Sequence, residues 1–303
     1  MIPRLVVIIS CFACTLLLCL QSACSDAEEV PIIRDNPALS DETRIVSLSP
    51  AISSTLYDLG CGDQIVGATQ FCTHPKELTR AKEEGRVANV GGLTNPAIET
   101  ILKLRPTFIF AEKTTHSSKL DRLRERGIRL IEIKLESFED IKGMVFTLGR
   151  HLQRKDEAAE IVAQIDAAIG EKIGQPVPRV LMVYYSETPA SVDAIGPRSY
   201  QVQILEQLGA TIALEESNIV TPRLNIEQIL KLDPDMIIEI HYAGKVKPPL
   251  ERWKMVDHLR AVKLEEVHGI GGKENVLPAS CVVGFIGRIR AMLEAWQERE
   301  RKR

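Results

Sequence analysis

One thirteen-residue segment occurs twice in this chain. Ile98-Glu-Thr-Ile-Leu-Lys-Leu-Arg-Pro-Thr-Phe-Ile-Phe110 aligns with Ile226-Glu-Gln-Ile-Leu-Lys-Leu-Asp-Pro-Asp-Met-Ile-Ile238, and eight of the thirteen positions are identical without a gap. Two more pairs follow in the same order: Arg44-Ile-Val with Arg179-Val-Leu, and Leu59-Gly60 with Leu208-Gly209. The spacing between copies is far longer than a solenoid repeat, so each copy is expected to be a lobe with its own core. A length of 303 residues suits two such bodies. With 45% hydrophobic and 26% charged residues the chain is globular rather than disordered. A net charge of −3 leaves no basic excess for a phosphate backbone, so no nucleic-acid partner is expected.

Within each copy, strand and helix signals alternate. In the first, strands are expected at 44–48, 64–71, 107–111 and 128–133, with helices at 50–60, 98–104 and 118–126. In the second, strands are expected at 179–185, 235–240 and 276–278. The helices there end at Leu208, cover 226–232 and close the chain at 283–299. Such alternation argues for parallel sheets with crossover helices. Between the copies, Ile141, Val145, Leu148, Leu152, Ala159, Val162, Ile165, Ile169 and Ile173 recur at helical spacing. A continuous helix there would be about 55 Å long, with Gln153-Arg154-Lys155 as the place for an interruption. The expected fold is therefore α/β: two Rossmann-like lobes with central parallel sheets, joined by one long α-helix, with a ligand cleft between them. The expected boundaries are an N-terminal lobe at 44–136, a linking helix at 137–175 and a C-terminal lobe at 176–303.

Ligands of open parallel sheets sit at the carboxyl ends of the strands. Those ends are Ser49-Pro50, Phe71-Cys72-Thr73-His74 and Glu112-Lys113 in the first lobe. In the second they are Tyr184-Tyr185-Ser186 and His241-Tyr242. Counted from the repeat prolines Pro106 and Pro234, Lys113 and His241 are equivalent. Gly269-Ile-Gly-Gly-Lys273 lacks the GxxxxGK[ST] spacing of a phosphate loop and reads as a glycine turn. Cys72-x-His74 and His116 match no metal-site spacing, so neither a metal nor a cofactor is expected. No nucleophile elbow appears, so the chain is expected not to be an enzyme. An enzyme acting on a metal chelate is the alternative from another functional class.

Residues 1–24 have the form of an export signal: Arg4, an apolar run, then Gln21-Ser22-Ala23-Cys24. The segment Leu20-Gln-Ser-Ala-Cys24 resembles a lipoprotein lipobox, which implies lipidation at Cys24. Residues 25–43 are polar and acidic and read as a tether. The body is then exported, periplasmic or on the cell surface, and anchored to a membrane. Of seven cysteines only Cys61, Cys72 and Cys281 lie in the body. Eight strand residues between Cys61 and Cys72 span more than about 20 Å, beyond disulfide reach, so buried thiols are expected.

Taken together, several motifs resemble the extracytoplasmic substrate-binding proteins of bacterial ABC importers, in the helix-linked class that binds cobalamin, iron–siderophore complexes or haem. They are Arg44-Ile-Val-Ser-Leu-Ser-Pro50, Val66-Gly-Ala-Thr-Gln-Phe-Cys-Thr-His-Pro75, Val90-Gly-Gly-Leu-Thr-Asn-Pro-Ala-Ile-Glu99 and both Ile-Leu-Lys-Leu-x-Pro segments. The resemblance covers residues 44–299 and is nearest the cobalamin-binding branch. It implies a monomer that captures cobalamin or a related corrinoid, with an iron–siderophore or haem as the alternative. It further implies delivery to a dimeric permease with its ATPase. The branch has an aromatic where this chain has Phe71, and tryptophans where it has Leu93 and Thr221. The expected ligand-binding set is Ser49, Pro50, Phe71, Leu93, Tyr185, Thr221, His241 and Tyr242. Glu99 and Glu227 correspond to the class's permease-docking glutamates.

Overall fold

The computed structural model describes residues 43–92, 94–113, 118–187, 190–214, 217–241, 249–273 and 276–303. The export segment with Cys24, most of the tether, Leu93, His116 and Tyr242 lie outside the described residues.

In the first lobe the chain alternates as the apolar runs demand. The elements are β1 (Ile45–Ser47), α1 (Pro50–Asp58), β2 (Ile65–Ala68), α2 (Lys76–Glu83), β3 (Ala88–Asn89), α3 (Ile98–Lys103), β4 (Phe108–Glu112), α4 (Ser118–Glu125) and β5 (Arg129–Ile133). The strands form one sheet in the order β3-β2-β1-β4-β5, all parallel. Ser49 caps α1, its side chain accepting from the Ile52 amide, and Pro50 opens the helix where no amide donor is missed. The strand expected at 64–71 ends at Ala68, and Phe71 stands in the turn beyond it.

Two helices follow, α5 (Phe138–His151) and α6 (Lys155–Ile169). The second lobe then contains β6 (Arg179–Tyr184), β7 (Ser191–Asp193), α7 (Tyr200–Leu208), β8 (Thr211–Ile212), β9 (Arg223–Asn225), α8 (Ile226–Leu232), β10 (Met236–His241), α9 (Pro249–Trp253), α10 (Arg260–Lys263), β11 (Val267–Gly271) and α11 (Val282–Lys302). Its parallel sheet runs β11-β10-β6-β8, with β7 and β9 as a separate antiparallel ribbon. The last strand is therefore 267–271 and not 276–278. Residues 277–281 instead cross to the first lobe, where Ala279 is buried in the core and the Ser280 amide donates to Thr55 Oγ1 at 3.3 Å.

The duplication extends to single bonds. Ile45 pairs with Phe108, and the equivalent Val180 with Met236. The Arg44 amide donates to Thr107 Oγ1 and the Thr107 amide returns to the Arg44 carbonyl. The Arg179 amide likewise donates to Asp235 Oδ2 and the Asp235 amide to the Arg179 carbonyl. Both arginine side chains reach a carbonyl at the end of the helix before the paired strand, Leu104 and Leu232. Arg105 and Asp233 share the left-handed turn at φ 44° and 36°. Each sheet is apolar on both faces, as buried parallel sheets are. Ile45, Phe108 and Phe110 face one core and Val46, Leu48 and Ile109 the other. In the second lobe Val180, Met182 and Ile238 oppose Leu181, Val183 and Ile237. The α/β two-lobe expectation holds.

The join differs from expectation. It is not one continuous helix: the chain breaks at 152–154, with Gln153 at φ 56°, and α6 folds back along α5. Lys142 and Asp166 meet at 3.2 Å across this antiparallel hairpin. The reason is that the apolar stripe serves two cores rather than one long seam. Phe138, Ile141 and Ile165 belong to the second lobe's core, whereas Met144, Val145, Leu148, Leu152, Ala158 and Val162 belong to the first. Gly149 permits the close return, because a Cβ there would lie 2.5 Å from Ala158 Cβ and 2.7 Å from the Arg154 carbonyl oxygen. Cys61, Cys72 and Cys281 are in no disulfide, and the first two are buried. Among the described residues no helix is long and apolar enough to cross a membrane.

Gly149→Ala is expected to cost about 1–3 kcal/mol by overpacking against backbone that cannot move. Urea unfolding at neutral pH reads this directly, and an unchanged midpoint would show that the hairpin is loose at its tip.

Candidate functional site

The carboxyl ends of β1, β2, β4, β6, β10 and β11 carry the candidate residues. In the first lobe the Ser49 side chain is buried and donates to Glu112 Oε1 while capping α1; Pro50 is half-buried and Lys113 exposed. Phe71 is 60% exposed, and its ring lies 3.6 Å from where a Cβ on Gly92 would stand. Gly91 and Gly92 correspond through the repeat to Ile219 and Val220, which are 63% and 58% exposed. Thr221 beside them is exposed as well. Equivalent loops of the two lobes thus each present apolar surface, by Phe71 lying over glycines in one and by two aliphatic side chains in the other. Isolated exposed apolar residues are common, but a matched set at strand carboxyl ends is the expected lining of a ligand cleft. Ile219 and Val220 escaped the sequence reading because their loop has no periodicity; repeat alignment with Gly91-Gly92 was the available signal.

Between the lobes, Lys273 Nζ donates to Thr73 Oγ1 at 2.6 Å. Gly269 and Gly271, read as a glycine turn, are strand residues of β11. Arg198 donates to Asn218 and Arg223 to Ser191 Oγ, so both basic groups are engaged on their own lobe.

The second lobe also holds a buried polar cluster. Glu239 is 1% exposed on β10, within an otherwise apolar run. Its Oε1 accepts from Trp253 Nε1 at 2.7 Å and from Arg252. Arg252 also donates to the Ser186 carbonyl at 2.6 Å, and its guanidinium lies 4.5 Å over the Tyr185 ring. That ring is 4.5 Å from the ring of His241, which is 3% exposed. His241 Nε2 stands 3.4 Å from Glu239 Oε2, near enough for charges to attract but not aligned as a hydrogen bond. The structure thus brings Tyr185 and His241 together and turns His241 inward. Glu239, Arg252 and Trp253 were not anticipated, although a glutamate inside a buried parallel strand is itself a signal.

Glu99 and Glu227 occupy equivalent places in the first turns of α3 and α8. Both are exposed, and neither forms an ion pair among the described residues. Negative charge there also favours the helix dipole.

A family model described as periplasmic binding protein matches residues 45–268. The chain belongs to the periplasmic binding protein family. Among its relatives is an uncharacterised ABC transporter substrate-binding lipoprotein, YvrC of Bacillus subtilis, 23% identical over 80% of this chain and 79% of that protein. Another is a vitamin B12-binding protein of Pectobacterium atrosepticum, 24% identical over 64% of this chain and 70% of that one. The periplasmic haem-binding protein HutB of Vibrio cholerae has the same fold, with a TM-score of 0.67 at 19% identity over 83% of this chain and 98% of that structure. A periplasmic binding fold therefore does not by itself choose the ligand.

Burial holds His241 below the ordinary histidine range, and Glu239 does not reverse this because its charge is already matched by Arg252. The unfolded chain then takes up the proton first, so stability present above about pH 6.5 is lost as pH falls below it. His241→Phe keeps a ring against Tyr185 and removes the titration. Its unfolding free energy is expected to decline less than wild type between pH 6.5 and 5, as measured by urea denaturation; parallel curves would show that folding does not shift the titration of His241.

Proposed function

We propose that this chain is the substrate-binding component of an ABC importer that captures cobalamin or a related corrinoid between its lobes. The observation that carries the reading is a pair of exposed apolar loops at repeat-equivalent positions, Phe71 over Gly92 in one lobe and Ile219-Val220 in the other, on two sheets that share a four-strand order. The face of a large macrocycle suits such walls. An anionic iron chelate calls for several free basic groups; Arg198, Arg223 and Arg252 are each engaged elsewhere, and exposed Lys113 by itself does not make such a set. The sequence kinship to a vitamin B12-binding protein supports the same choice. Ser49, Pro50, Tyr185 and Thr221, with Leu93 and Tyr242, complete the proposed lining, and His241 supports it from beneath. The protein acts as a monomer and releases its ligand chemically unchanged.

Family membership implies a place outside the cytoplasm. We read Cys24 as the lipid-bearing residue after cleavage of 1–23, and 25–43 as the tether to the membrane. One exposed glutamate per lobe, at repeat-equivalent positions, forms a pseudo-two-fold pair suited to a two-fold permease. Glu99 and Glu227 are the docking residues in this reading.

Titration with cyanocobalamin, haemin and ferric siderophores tests the ligand. Cyanocobalamin is expected to bind most tightly, and Phe71→Ala to weaken it about tenfold, from the loss of roughly 1.5 kcal/mol of apolar burial. Preference for haemin, or an unaffected Phe71→Ala variant, would reject the corrinoid assignment. Charge reversal at both Glu99 and Glu227 is expected to abolish stimulation of the permease's ATPase while cyanocobalamin affinity stays at the wild-type value; normal stimulation would remove the docking role.

A further inference from the structure

Glu239 has an internal control. Its repeat equivalent in the first lobe is Ala111, a buried residue of β4, so this sheet position folds without a charge. A buried carboxylate is costly to desolvate and is retained only with good partners. The second lobe supplies them through a local device. The neighbours of Glu239 and His241 on β11 are Gly269 and Gly271, which leave that face of the sheet bare. Helix α9 packs there and delivers Arg252 and Trp253 to Glu239 Oε1.

Arg252 does more than neutralise. Its planar fork bonds Glu239 with one nitrogen and the Ser186 carbonyl with the other, at 2.6 Å, while its plane covers Tyr185. Tyr185 and Ser186 follow the last residue of β6. The Tyr185 amide still bonds the Ile240 carbonyl at 2.9 Å, and Arg252 secures the next carbonyl along. The equivalent of Tyr185 in the first lobe is Pro50, held by the helix it opens. Among the described residues of the second lobe no helix starts at that point, and the Glu239–Arg252 pair serves instead.

We propose that Arg252 is a positioning residue of the ligand site, anchored on Glu239 and setting Tyr185-Ser186 in the arrangement that receives the ligand. This rests on the reading that the ligand sits at the strand carboxyl ends. The occupant Tyr185 meets there is the face of the macrocycle proposed above. Arg252 itself does not touch it.

The test uses the full mature protein. Arg252→Met alone would leave Glu239 charged and unpaired, so the informative variant is Arg252→Met with Glu239→Gln, which removes both charges and keeps an acceptor for Trp253. Arg252→Lys is the second variant, retaining charge without the planar fork. Hydrogen exchange of the 185–187 amides is expected to quicken at least tenfold in the double variant, with 180–183 unchanged, and to be intermediate in Arg252→Lys. Cyanocobalamin affinity is expected to fall about tenfold. In a Tyr185→Ala background the same double change is expected to shift affinity less than twofold, because residues acting through one another are not additive. Unchanged exchange at 185–187 overturns the proposal, as does an affinity loss fully additive with Tyr185→Ala. A wild-type protein that binds no corrinoid yet shows the exchange difference removes the ligand assignment and supports the positioning role.

Discussion

The two lobes are held by one helical hairpin that sends side chains into both cores. The α5–α6 hairpin buries Phe138, Ile141 and Ile165 in one core and Met144, Val145, Leu148, Leu152 and Val162 in the other. Each such side chain contributes roughly 1.5–3 kcal/mol when buried. Pulling the lobes apart would expose one set or the other, a loss comparable with the whole stability of a typical domain. The crossing at 277–281 adds a second tie, with Ala279 in the first lobe's core and Ser280 bonded to Thr55 and Asp58. The placement of one lobe against the other is therefore a consequence of core packing.

Duplication made most of this legible in the sequence. The Ile-Leu-Lys-Leu-x-Pro segments specify a helix, a turn and a buried strand, and the structure repeats them even to the left-handed Arg105 and Asp233. Short strands whose faces are both buried read clearly because most residues in them are apolar. What failed did so for local reasons. The stripe at 137–173 has the same periodicity in one helix as in a hairpin, because apolar spacing reports a buried face and not its partner. Gly149 beside Ala158 fixes the fold-back, and only the paired geometry reveals that. Val276-Leu-Pro278 looked like a strand because it is apolar, yet it serves as a plug between lobes, a role with no period of its own.

At the site, legibility was divided differently. Strand ends could be counted, so Phe71, Tyr185 and the Lys113–His241 equivalence were reachable. Orientation could not be counted. His241 is turned inward to Tyr185 and Glu239, whereas Lys113 points to solvent, although both hold the same place in the repeat. The difference traces to the neighbouring strands. β5 carries side chains along its length beside β4, and β11 carries glycines beside Glu239 and His241, which opens room for α9.

That divergence between copies has a functional logic. A preformed cleft gains affinity by having its walls already ordered, since ordering them on binding costs free energy. In the first lobe order comes cheaply, from Ser49 and Pro50 at the start of α1. In the second, no helix starts at the end of β6 among the described residues, and an irregular segment of that kind loses little by moving. Binding Ser186 and Tyr185 to a guanidinium that is itself pinned on a buried carboxylate removes that freedom with fixed bonds rather than with bulk. The cost is a desolvated ion pair that the other lobe does without, and such a pair is well placed only where a wall must stand still.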